Sequence, residues 1–147
     1  MARARAANFN QAGADARLEA RALADRALAL APAAPEPWFA RASIEHVEGR
    51  WPEAVTALRR ALLASPAYLP AQQLLATILS EVGPLDDALL RFDVVAELDP
   101  ASRYPATIQS QLHMLAGRVD EAVRAFPVAT TWEEGLDRAV YAARANL

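Results

Sequence analysis

The sequence predicts an all-α protein: antiparallel helical-hairpin repeats stacked one on the next, closed by a C-terminal capping helix. Three observations predict it. Gly49, Gly83 and Gly117 stand 34 residues apart. Ala54, Ala88 and Ala122 follow them by five positions, and Leu58, Phe92 and Phe126 by nine. Pro32, Pro66 and Pro100 repeat with the same period. A fixed period of this length marks an array of supersecondary units, each burying its apolar face against its neighbour.

The elements follow in order within one domain of 147 residues. Residues 1–34 read as a degenerate first unit, with Ala20, Ala27 and Pro32 in register. Its second helix covers about 15–31, and its glycine, Gly13, falls two positions early. Units 35–68, 69–102 and 103–130 are more regular. Each opens with a proline, at Pro37, Pro70 and Pro105, which suits a first helical turn whose N–H groups lack intrahelical acceptors. First helices are expected over about 37–48, 70–82 and 104–116, each ending at a glycine able to take the left-handed conformation. Second helices are expected over about 52–64 and 86–98, with a short one stopping near Phe126 ahead of Pro127. Asp86 and Asp120 fall at helix starts, where a short carboxylate can cap orphan N–H groups. Pro52 holds that register in the second unit. Apolar Ala54, Leu58, Ala61 and Leu62 recur at helical spacing, as do Ala88, Phe92 and Val95. Thr131 and Glu134 have the spacing of a capping box. They open an expected last helix over 132–146, which covers the otherwise unpartnered end of the array.

Composition narrows the chemistry. All fifteen basic residues are arginine, and lysine and cysteine are absent. A P-loop, a Schiff-base lysine, a thiol nucleophile and a thiolate metal site each need a residue type that is missing. Net charge is −3, so there is no basic footprint for nucleic acid. No apolar run reaches the roughly 18 residues of a membrane helix, and residues 1–15 lack the apolar core of a signal peptide. A soluble, cytoplasmic chain with no cofactor and no metal is the expectation.

The repeating residues resemble the tetratricopeptide repeat (TPR). The second unit matches that pattern at Trp38, Ala42, Gly49, Ala54, Leu58, Ala61 and Pro66, and departs at Arg41, where leucine is usual. The third matches at Leu75, Ala76, Gly83, Ala88, Phe92 and Pro100, with Gln72 in the tryptophan position and Val95 in that of the later alanine. The fourth keeps Gly117, Ala122, Phe126 and Ala129, with Ser110 at the small position and Glu134 where proline would come. The resemblance covers about residues 15–130 and implies a right-handed α-solenoid whose first helices line a concave, peptide-binding wall. Carried over residue by residue, the inward positions are Phe39, Ser43 and His46, then Gln73, Thr77 and Ser80, then Thr107, Gln111 and Met114. Each trio is spaced to share one helix face. One subtype clamps a C-terminal carboxylate with lysine, asparagine and arginine. Phe39, Ser43, Leu74 and Ile108 occupy its places here, so that clamp is not expected. Amides and hydroxyls at Gln73, Thr77 and Gln111 could instead pair with a peptide backbone, and Phe39, Tyr104 and Met114 could receive apolar side chains.

Each functional reading has a plainer rival. Trp38 and Trp51 suit packing between helices better than ligand contact. His46 and His113, the only histidines, lie two units apart and are not expected to share a metal. Asp86 with Asp87, and Asp120 with Glu121, suit helix starts better than acid–base work. Arg3, Arg5, Arg17 and Arg21 read as a solvated face, with an acidic partner as the alternative. The sequence therefore points to a non-catalytic scaffold that binds a protein or peptide. A recognition domain of a larger bacterial transferase or hydroxylase is an alternative. So is a self-assembling adaptor, a possible homo-oligomer docking through apolar surface near Leu23, Leu28 and Leu30. The arginine and alanine bias suits a GC-rich, bacterial genome.

Overall fold

The structure, a computed structural model, describes the backbone of residues 2–126 and side chains from Asp15 onward. Among these residues there are seven helices and no strand: α1 (Ala2–Leu30), α2 (Pro35–Val47), α3 (Trp51–Ala64), α4 (Leu69–Val82), α5 (Leu85–Leu98), α6 (Tyr104–Leu115) and α7 (Val119–Ala125). The chain divides into two compact units, Met1–Ile78 and Leu79–Leu147. The expected capping helix over 132–146 lies outside the described residues.

In the first unit α2 packs on both α1 and α3; in the second α6 packs on both α5 and α7. The 34-residue register explains why these pairs come close. Ala42, Ala76 and Ser110 are fully buried, as are Ala54, Ala88 and Ala122. Small side chains at both sets of positions let the helix axes approach, and larger ones such as Leu58 and Phe92, also fully buried, fill the space beside them. Ser110 brings a hydroxyl into that interior, and the hydroxyl donates to the Ala122 carbonyl at 2.6 Å. Burial therefore leaves it no unmet hydrogen bond.

Two of the periodic glycines end their helices as the spacing predicts. Gly49 and Gly117 both have φ of +72°. Gly49 N–H donates to the His46 carbonyl at 2.9 Å and Arg50 N–H to that of Glu45 at 2.8 Å. Gly117 and Arg118 repeat this pair on Met114 and His113, at 3.0 and 2.8 Å. Both are Schellman motifs, in which the left-handed residue lets two N–H groups satisfy the last orphan carbonyls. Gly83 differs. It is not among the positive-φ residues, and its N–H makes an ordinary helical bond to the Leu79 carbonyl at 2.9 Å. What demands glycine there is space: a Cβ would lie 2.9 Å from the Leu79 carbonyl oxygen.

Two expectations are corrected. No turn forms at Gly13; α1 runs unbroken from Ala2 to Leu30. An interior glycine costs a helix only about 1 kcal/mol relative to alanine, too little to interrupt one by itself. Nor do Asp86 and Asp120 cap their helices. The N-cap residues are Pro84 and Arg118, neither making a side-chain capping bond, and the aspartates sit inside the first turn. There their charge still meets the positive end of the helix dipole.

Candidate binding surfaces

The nine expected wall residues fall in both units, and each set is described within its own. In the first unit, Phe39, Ser43 and His46 lie along α2, with Gln73 and Thr77 on α4; all five are half-buried. Phe39 meets the Tyr68 ring edge-on at 5.8 Å, and His46 meets Trp51 similarly at 5.1 Å. Burial, with the Glu36 charge adding to it, pushes the Tyr68 hydroxyl above the ordinary tyrosine range. In the second unit, Ser80, Thr107 and Met114 are half-buried and Gln111 is exposed. Tyr104, 43% exposed, packs its ring edge on fully buried Phe92 at 6.0 Å.

Three of the four hydroxyls of this set do not offer their protons outward. Ser43 donates to the Phe39 carbonyl, Thr77 to that of Gln73 and Thr107 to that of Arg103, each at 3.0 Å. These are bonds back to the preceding helical turn. Ser43 and Thr107 therefore have only acceptor lone pairs left to offer, which suit N–H groups. Amide donors toward a ligand are left to Gln73 and Gln111.

The departures from the repeat pattern turn out to be informative. Trp38 Nε1 donates to the Pro32 carbonyl at 2.9 Å. One period later Gln72, 6% exposed, donates its Nε2 to the Pro66 carbonyl at 2.8 Å. The amide replaces the indole as donor to the same carbonyl of the repeat. Both tryptophans singled out by sequence thus have structural contacts: Trp38 through its N–H, Trp51 through His46.

Arg41, in place of leucine, belongs to an ionic cluster in the first unit. Its Nε donates to Glu45 Oε1 at 2.7 Å and its Nη1 to Asp25. Glu45, only 3% exposed, also pairs with Arg50, and Arg21 lies 3.5 Å from it. Glu48 bonds Arg21 at 2.7 Å and pairs with Arg50. A buried carboxylate is tolerated when cations and hydrogen bonds surround it. The Glu45 hydrogen bond is the main reason the Arg41 guanidinium holds its proton more tightly than usual. Arg21 is therefore neither a solvated side chain nor bait for an acidic partner. Sequence reasoning missed Glu45, Glu48 and Arg50. The one local signal was the Arg41/Glu45 spacing of four.

Beside the cluster lies a cleft of about 450 Å³. Leu28 lines it from α1, Trp38, Arg41 and Glu45 from α2, and Pro52, Glu53, Thr56 and Ala57 from α3. Elsewhere the contacts of acidic residues are isolated pairs. Arg118 bonds Asp86 at 2.9 Å, and Asp93 accepts from Gln109 at 2.7 Å. Among the described residues no group of three or more metal-ligating side chains gathers, and no helix is long and apolar enough to cross a membrane.

No family model and no curated protein matches the sequence. Solved structures do match it. A crystal structure of MamA superposes with a TM-score of 0.65 at 19% identity, covering 82% of this chain and 67% of that one. The fold is similar to that of MamA. A second MamA structure gives 0.64 at 18% identity, over 84% of this chain. The matched region spans about two thirds of the MamA chains, 67% and 64%. MamA is a helical solenoid of TPR type, and at this identity the likeness concerns architecture.

Proposed function

We infer that the chain is a non-catalytic scaffold that binds a protein or peptide through its first helices. The observation that carries this reading is a division of labour within each first helix. Ala42, Ala76 and Ser110 are fully buried and hold the array together. The positions spaced around them carry uncharged hydrogen-bonding groups and aromatic rings that stay partly open to solvent. Within each unit such positions can hold an extended peptide by its backbone, with an apolar contact near Phe39 in the first unit, and near Tyr104 and Met114 in the second. The candidate contacts are Phe39, Ser43, His46, Gln73 and Thr77 in the first unit, and Ser80, Thr107, Gln111 and Met114 in the second. The TPR-type architecture, which resembles that of MamA, supports the same reading.

A peptide array probed with the wild-type chain, then with Gln73, Thr77 and Gln111 changed to alanine, tests it. The triple variant is expected to lose at least about tenfold in affinity, the sum of a few hydrogen bonds near 1 kcal/mol each. Most of that loss should come from the two glutamines, since the Thr77 proton is held by its own helix. Unchanged binding would falsify the first-helix site.

A second reading, self-association, is favoured by α1. Leu23 and Leu30, seven residues apart on one face of the helix, are 56% and 84% exposed, an apolar pair that a second chain could cover. Static light scattering over a concentration series should then show mass rising with concentration, and glutamine at Leu23 and Leu30 should flatten it. A constant monomer mass in the wild type removes this reading.

A further inference from the structure

The cleft between α1, α2 and α3 is separate from the proposed peptide face. Its α2 residues, Trp38, Arg41 and Glu45, lie roughly 130° around the helix from Phe39, Ser43 and His46 at about 100° per residue. Its volume of about 450 Å³ falls in the usual range for ligand sites, about 300–1,000 Å³. The walls are apolar where Leu28, Trp38, Pro52 and Ala57 meet. The Trp38 ring is held in place by its bond to the Pro32 carbonyl, and the Thr56 hydroxyl is held by the Pro52 carbonyl at 2.8 Å. The cleft is thus preformed, so an occupant pays little to order its walls.

Charge selects the occupant. Among the described residues Arg41 is the only cation lining the cleft, and it is already matched by Glu45 and Asp25. Around the site three arginines (Arg21, Arg41 and Arg50) face Asp25, Glu45 and Glu48. That balance leaves Glu53 over. Its carboxylate is exposed on the first turn of α3 and has no ion-pair partner among the described residues. An anion would meet a guanidinium already paired and a surplus carboxylate. A cation set over Glu53, away from Arg41, would meet a carboxylate with no ion pair of its own, which outweighs the partial positive charge at the start of α3.

We propose that this cleft is a second docking site, which takes a partner-protein segment carrying a large apolar side chain next to an arginine. The apolar side chain enters between Leu28, Trp38 and Ala57, and the arginine lies over Glu53 at the rim.

The probe is the peptide acetyl-Gly-Leu-Arg-Leu-Gly-amide, titrated into the ¹⁵N-labelled full chain and followed by amide and indole NMR signals. The expected result is saturable shifts at the Trp38 indole N–H and at the Thr56 and Ala57 amides, with the Phe39, Ser43 and His46 amides unmoved. Replacing the peptide's arginine by neutral citrulline should weaken binding about 2- to 5-fold, as should Glu53→Gln in the protein, the range of one exposed ion pair. Thr56→Trp, at an exposed position on the rim, should abolish the shifts while leaving the far-UV spectrum intact. Four outcomes overturn the proposal: no saturable shift, equal affinity for the citrulline peptide, shifts confined to the Phe39 face, or concentration-dependent shifts at Trp38 and Thr56 without peptide. The last would assign the cleft to a second copy of the chain. Only the third bears on the first-helix site as well, and it would support that site.

Discussion

At the residue scale, three glycines that look equivalent in the sequence do different physical work. Gly49 and Gly117 supply a left-handed backbone at +72° and have open space where a Cβ would stand. Gly83 supplies the absence of a Cβ beside the Leu79 carbonyl, 2.9 Å away. Alanine should therefore be destabilising at Gly49 by about 1–2 kcal/mol, the cost of a left-handed L-residue. Asparagine, which tolerates that region better, should recover part of the loss. At Gly83 asparagine should rescue nothing, because any Cβ meets the same oxygen. Urea unfolding of the four variants checks this, and recovery by asparagine at Gly83 would contradict the contact. Period and turn chemistry were legible in the sequence because glycine and proline are local signals. Which property of glycine was used was not legible, since φ and clearance depend on where the neighbouring turn of helix sits. The aspartates show the same limit. Their repeated position near a helix start was readable, but the difference between a cap and a first-turn residue is one or two positions, and Pro84 and Arg118 took the cap.

At the element scale, the join of α1 to α2 rests partly on charge. Arg21 and Asp25 on α1 reach Glu45 and Arg41 on α2 and Glu48 at its C-cap. Leucine, the usual occupant of the Arg41 position in the resembled repeat, would make this contact apolar. Because Glu45 is 3% exposed, removing its charge strands cations beside a desolvated site. Glu45→Gln is expected to destabilise the first unit by on the order of 3 kcal/mol. The double change Arg41→Leu with Glu45→Leu should lose less, since Arg41 is no longer stranded and only Arg21 and Arg50, both still paired with Glu48, lose a partner. Thermal melts of the single and double variants decide it; equal losses would mean that packing, not charge, dominates. The cluster was largely illegible because its pairs are far apart in sequence: Arg21 and Glu48 differ by 27 positions. Only a fold already in hand brings them together. Gly13 failed as a signal for the opposite reason: it is local, but too weak to end a helix without a turn or packing to help it.

At the scale of the whole molecule, the hairpin architecture was legible because the same signals recur in phase, and a recurring weak signal outweighs a single strong one. The candidate peptide face was legible only as positions. That Ser43, Thr77 and Thr107 turn their protons back on their own helices changes what the face can recognise, from donor-rich to acceptor-rich outside the glutamines. Peptides whose backbone N–H groups are methylated should therefore bind the wild type about threefold more weakly, a loss below 1 kcal/mol. Competition on the same peptide array measures this, and equal binding would place the contacts on side chains alone. The cleft beside α2 had no sequence signature, because its lining comes from three helices and its walls are ordinary core-edge residues.

The bond from Gln72 to the Pro66 carbonyl has a consequence for how far such repeats can drift. What the position requires is a donor of the right reach, and an amide meets that requirement as well as an indole does. A lineage can therefore exchange its most recognisable letter while conserving the hydrogen bond behind it. Its repeats then diverge in spelling and remain alike in grammar, and an array of this kind is recognised more surely by the carbonyls it satisfies than by the tryptophans it keeps.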